Sequence, residues 1–208
     1  MRVMKMTLVA LAAALASGQA QRPPADQFPN YGWNSNYSEL RQITTANVNK
    51  LKVAWTFNYG GGSLPSGGLG LDFRFEVQPL IIGGVMYFST PASPYKPELK
   101  STITALEPET GKVIWKYESP RRIYGRGLAY WKGNGTVGPR LYAGTDQGYL
   151  IAVDMKTGQL AANFGTNGEV DVYKGVVSPE VGESRRSTFT IPNPVAVYKN
   201  LLIAGRRI

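Results

Sequence analysis

Short apolar runs separated by turn residues fill the chain from Val77 onward. Val77 to Ile82 is apolar, Gly83-Gly84 interrupts it, and Val85 to Thr90 returns. Glycine accepts the positive φ that two-residue hairpin turns demand, so this stretch predicts a β-hairpin. Thr102 to Glu107 then alternates, Pro108 to Gly111 turns, and Lys112 to Tyr117 alternates back. Ahead of this series, Asn47 to Leu51 predicts a short helical turn after Thr45, and Val53 to Tyr59 alternates as a strand does. Gly60 to Gly70 is a glycine-rich loop with no Gly-Lys-Ser/Thr ending, which excludes a P-loop.

The pattern then repeats. Ile103 to Trp115 matches Leu150 to Ala162 in the frame Ala, apolar, acid, two residues, Thr-Gly, with Ala105 and Ala152 47 positions apart. Val85-Met-Tyr87 precedes the first copy and Arg140-Leu-Tyr142 the second. A third start spans Val195 to Gly205, where Lys199-Asn200 stands in for Gly83-Gly84. Four antiparallel strands in about forty residues make one propeller blade. The expected fold is therefore all-β, built of four-stranded antiparallel blades, with almost no long helix. At each Thr-Gly turn glycine takes the left-handed conformation, and the acid and threonine side chains bond to backbone amides. Trp115 is then expected to lie buried between neighbouring blades. The second copy has Ala162 at that position, with Phe164 as the nearest substitute.

Met1 to Ala20 reads as a secretory signal peptide. Arg2 and Lys5 form the positive start, Met6 to Ala16 the apolar centre, and small residues follow. Cleavage after Ala20 or after Ala16 fits, and the run is too short to span a bilayer. The remaining 21–208 is expected to form the propeller part, and export places the protein in the periplasm or outside the cell. No later segment has the length and apolarity of a transmembrane span.

Composition narrows the chemistry. There is no cysteine and no histidine, which excludes disulfides, thiolate sites, His-ligated zinc and a Ser-His-Asp triad within the chain. Net charge is +9, or +7 without residues 1–20. The basic residues are scattered and no nucleic-acid-binding motif accompanies them, so nucleic acid is not the expected partner.

The frame Ala105-x-Glu107-x-x-Thr110-Gly111-x-x-x-Trp115 resembles the tryptophan-docking repeat of the PQQ-dependent (quinoprotein) dehydrogenases. Leu40-Arg-Gln-Ile-Thr44 and Leu51-Lys-Val-Ala-Trp55 resemble that family's opening segment. Glu76-Val-Gln-Pro79 with Gly84-Val-Met-Tyr87 resembles its first full blade, and Gly125-Arg-Gly-Leu-Ala-Tyr-Trp131 its Arg-Gly segment. Asn163 to Asp171 resembles a stretch of the glucose-dehydrogenase-like branch.

The resemblance implies an eight-bladed propeller, of which this chain would be the N-terminal part. It implies that Glu76 and Arg126 contact PQQ, with Thr190 and Asn193 near a further polar contact. A guanidinium fork suits the cofactor's carboxylates. Read without the resemblance, Glu76 is a solvated acid at a strand end and Arg126 a surface arginine near Arg121 and Arg122. Pro120 and Arg121 stand where alcohol-oxidising members carry adjacent cysteines, which favours sugar or polyol substrates over a methanol-type one. Calcium ligands and the catalytic aspartate are implied to lie beyond residue 208, and this chain alone is expected to be inactive. A cytochrome c or quinone is the implied electron acceptor. The competing reading is an exported, non-catalytic propeller that binds or scaffolds.

Overall fold

A computed structural model of the chain describes residues 40–60, 75–92, 98–124 and 126–205. The expected signal peptide, and the glycine-rich loop from residue 61 on, lie outside them.

Two four-stranded antiparallel sheets follow one another. The first comprises β1 (Leu80–Ile82), β2 (Val85–Thr90), β3 (Thr102–Leu106) and β4 (Val113–Glu118). The second comprises β5 (Ala129–Trp131), β6 (Arg140–Gly144), β7 (Tyr149–Asp154) and β8 (Glu169–Asp171). Both have their strands in sequence order, the up-and-down arrangement of a propeller blade. A third unit begins with β9 (Ala196–Tyr198) paired to β10 (Leu201–Ile203) around the Lys199-Asn200 turn. The repeat in the sequence is thus a repeat of blades. Between β8 and β9 lie one short helix, α1 (Val172–Val176), and two 3-10 turns at Pro179–Val181 and Arg186–Thr188.

The blades pack face to face through apolar residues. Leu80, Ile103, Leu141, Ile151 and Val153 are fully buried in one shared cluster. Each such side chain contributes about 1.5–3 kcal/mol. A second cluster, including Ala129, Tyr142, Ile191 and Val195, joins the second blade to the third.

The Thr-Gly turns sit at the opposite end from the start of each unit's first strand. Gly111 and Gly158 have φ of +72° and +70°, and each donates its amide to the carbonyl of the acid four residues earlier, at 2.8 and 2.9 Å. The Asp154 carboxylate accepts from the amides of Lys156 and Thr157, as expected. Trp115 reaches across to this turn. Its indole nitrogen donates to the Met155 carbonyl at 3.1 Å, and a Cβ on Gly158 would stand 2.6 Å from its ring. Docking is as the sequence predicts, but Trp115 is half-buried rather than buried, packed on the edge of the first cluster.

Two further expectations need correction. Val53 to Tyr59 is extended but joins no strand ladder among the described residues, although Trp55 docks on the turn of the first blade. Ala162 is not at a docking position at all. Leu160 bridges Val153 and begins an outer strand, the chain then bulges, and pairing resumes only at β8. The residue that holds the third unit is Trp131, whose indole donates to the Lys199 carbonyl at 2.8 Å. Phe164 packs on Tyr142 at 5.3 Å in the second cluster, so it does fill part of the gap.

Candidate functional site

Each unit's first strand is preceded by a polar segment, and these segments meet at one end of the blades. Glu76 lies four residues before β1, Arg126 three before β5, and Asn193 three before β9. The isolated parallel bridge between Gln78 and Gly127 brings the first two segments side by side. The Arg126 Nε then stands 3.4 Å from Glu76 Oε2, and its Nη1 donates to Asn193 Oδ1 at 3.0 Å. Three residues that the sequence places 50 and 67 positions apart thus form one contact group, one from each successive unit. Arg126 and Glu76 are each close to half-exposed, so the group faces solvent.

Thr190 does not join that group directly. It is buried, bridged through its backbone to Asp146, and its Oγ1 finds no hydrogen-bond partner among the described residues. A buried hydroxyl without a partner costs on the order of 1–3 kcal/mol unless a ligand or water meets it. The fit to an anionic, oxygen-rich cofactor is good on two counts. Arg126 has five N–H donors, more than Glu76 and Asn193 engage, and Thr190 offers an unused hydroxyl.

A separate cleft of about 390 Å³ is lined by Lys100, Ser101, Ser119, Arg121, Arg122 and Asp146, among others. Burial pushes the Asp146 carboxyl above its ordinary value, against the opposing pull of the Arg122 guanidinium and backbone. Sequence reasoning missed this acid, since its position in the β6–β7 turn carries no motif. Arg121 is engaged by Glu169, to which it donates from Nε at 3.1–3.2 Å and from Nη2 at 2.9 Å. Among the described residues no group of three or more Asp or Glu is placed to hold a metal ion. None of their helices is long and apolar enough to cross a membrane.

Comparison with known proteins agrees with this fold. The family model "PQQ: Glucose/ethanol/alcohol dehydrogenase, beta-propeller domain" matches residues 27–208. The dehydrogenase subunit of the quinone alcohol dehydrogenase of Gluconobacter oxydans (strain 621H) is 39% identical, over 81% of this chain and 19% of its own length. The glycerol dehydrogenase large subunit of Gluconobacter thailandicus is 31% identical over 94% of this chain and 26% of its own. The crystal structure of quinohemoprotein alcohol dehydrogenase from Comamonas testosteroni superposes with a TM-score of 0.64 at 25% identity, covering 90% of this chain and 24% of that one. The chain therefore spans about a fifth to a quarter of the length of these relatives.

Proposed function

The chain belongs to the PQQ-dependent quinoprotein dehydrogenase family, and from that membership we propose that it forms the N-terminal, cofactor-binding part of an enzyme oxidising sugars, polyols or alcohols. The observation that carries this reading is Arg126 held between Glu76 and Asn193 where three successive units begin. A scaffold has no need for an arginine so placed between the starts of three units.

Each residue has a definite task in this reading. Glu76 and Asn193 fix the plane of the Arg126 guanidinium, leaving its remaining N–H groups to bind a carboxylate or quinone oxygen of PQQ. Thr190, three residues before Asn193, supplies a hydroxyl as a further polar contact. PQQ, when bound, supplies the electrophilic quinone that accepts a hydride, with Ca²⁺ as Lewis acid. The calcium ligands and the catalytic aspartate belong to the stretch of the longer relatives that this chain does not span. The preference for a sugar or polyol rests on Pro120 and Arg121 at the adjacent-cysteine positions and on the Asn163 to Asp171 stretch of the glucose-dehydrogenase-like branch. With the signal peptide at 1–20, the enzyme acts in the periplasm or outside the cell and passes electrons to a cytochrome c or a quinone.

A dye-reduction assay tests this on the 208-residue chain and on a version extended to the length of its relatives, with and without PQQ and Ca²⁺. The extended protein is expected to turn over in a PQQ- and Ca²⁺-dependent way, and the short chain not at all. Silence of the extended protein over a panel of sugars, polyols and alcohols would favour the non-catalytic propeller.

A further inference from the structure

Side chains two apart on a strand share a face. On β8 these are Glu169 and Asp171, and each takes an arginine from a different connecting segment. Glu169 accepts from Arg121, in the segment between β4 and β5 that carries Arg126. Asp171 accepts from Arg186 at 3.2 and 3.0 Å, in the segment between β8 and β9 that carries Thr190 and Asn193. Tyr149, paired with Asp171 across β7 and β8, lies between the two cations. The Arg121 guanidinium is 3.4 Å from its ring centre and the Arg186 guanidinium 5.3 Å. Arg186 also donates to the Gln147 carbonyl at 3.0 Å and pairs with Glu183.

The four paired groups are largely shielded, with side-chain exposures of 27% and 18% for Arg121 and Glu169 and of 15% and 19% for Arg186 and Asp171. Shielding makes such charge-assisted pairs stronger than surface ones. Backbone bonds continue the path inward. Asp146 donates its amide to the Arg122 carbonyl at 3.0 Å, Tyr124 to Gly144 at 3.4 Å, and Ile191 to Thr145 at 3.1 Å.

We infer that Glu169 and Asp171 are positioning residues. From the outer strand of the second blade they hold two otherwise separate connecting segments in register, so that Arg126 meets Asn193 in the geometry that receives the cofactor. The last clause rests on the proposed PQQ function; the clamp itself does not. A segment with no regular secondary structure needs such anchors if its side chains are to stay within a fraction of an ångström of a productive position.

The test uses Glu169→Gln and Asp171→Asn with two readouts, exchange in the 208-residue chain and PQQ affinity in the version extended to the length of its relatives. Amide hydrogen exchange comes first. Each variant should speed exchange at Tyr124, Asp146 and Ile191 while leaving Gly111 and Gly158 at their original rates. An unchanged pattern, or a uniform rise over every amide, would overturn the clamp. PQQ affinity, read by quenching of tryptophan fluorescence, comes second. Each variant should weaken it about tenfold or more, and the charge-swapped pair Arg121→Glu with Glu169→Arg should recover part of the loss. Normal affinity in variants whose segments exchange faster would also overturn the positioning role. If the unaltered extended protein fails to bind PQQ, the cofactor reading falls, and the exchange pattern still decides whether the clamp exists.

Discussion

Trp115 stands on Gly158 of the next blade as Trp55 stands on Gly111. In each pair a Cβ on the glycine would come within 2.6–2.7 Å of the indole ring, and in each the indole nitrogen donates to the carbonyl of the residue just after the turn's acid, Met155 or Pro108. The Thr-Gly turn is therefore a seat as well as a turn. Its glycine is required twice, once by its positive φ and once by the ring lying over it.

Removing the ring should cost stability. Trp115→Ala is expected to lower the unfolding free energy by about 3 kcal/mol, near the low end for a large aromatic because the side chain is only half-buried. Trp115→Phe keeps most of the area and loses the indole hydrogen bond, so about 1 kcal/mol should go. Urea unfolding followed by circular dichroism measures both.

The seat can be tested from the glycine side. Gly158 and Gly83 both have positive φ, but an added Cβ at Gly83 meets nothing within 4 Å. Gly83→Ala should cost about 1 kcal/mol, for backbone strain alone. Gly158→Ala should cost clearly more, since the ring must move as well. In the double variant with Trp115→Ala the excess should vanish, a coupling that a thermodynamic cycle resolves.

Much of this architecture was legible in the sequence, for identifiable reasons. Hairpins announced by a two-residue turn, such as Lys199-Asn200, fall where the pattern puts them, because turn chemistry and alternation are local. The short turn at Val48–Lys50 was legible too, with Asn47 Oδ1 accepting from the Thr44 amide. Ala162 misled because a fixed spacing from Thr-Gly assumes a regular outer strand, and the second blade bulges before β8. Glu76, Arg126 and Asn193 could be named only through the family resemblance, since their meeting depends on three strand starts converging in space. The Glu169, Asp171 and Arg186 cluster left only a faint trace, two acids at strand spacing whose partners lie far off in the chain.

Acid should act on the clamp. Burial tends to raise the Asp171 carboxyl, but the Arg186 hydrogen bonds and charge, with the Lys174 amide, outweigh it and hold the carboxyl below its ordinary 3.8. A depressed folded-state value means that ionised Asp171 adds stability above the unfolded value, and that this is lost as pH falls through the folded one. Asp171→Asn should therefore be less stable than the unaltered chain at pH 7, by about 1–2 kcal/mol. The gap should narrow as pH falls below about 4. Thermal unfolding at a series of pH values gives the comparison, and a gap that stays constant down to the acid limit would remove the ion pair from the account.

The cofactor reading turns on Arg126, and geometry rather than charge should decide its variants. The guanidinium engages Glu76 from Nε and Asn193 from Nη1, on two different edges, and still has donors for a ligand. An ammonium in the same place is a point charge and cannot hold both partners and present a flat fork to a carboxylate. Arg126→Lys should thus lose much of the PQQ affinity despite keeping the charge, about tenfold, while Arg126→Ala loses about ten- to a hundredfold. Asn193→Ala frees one guanidinium edge without touching the charge, so its effect should be smaller than that of Arg126→Lys. Titration of PQQ into each variant, followed by tryptophan fluorescence, gives the order. Equal affinity for Arg126→Lys and the unaltered chain would mean that only net charge matters, and the three-residue group would lose its place as the cofactor site.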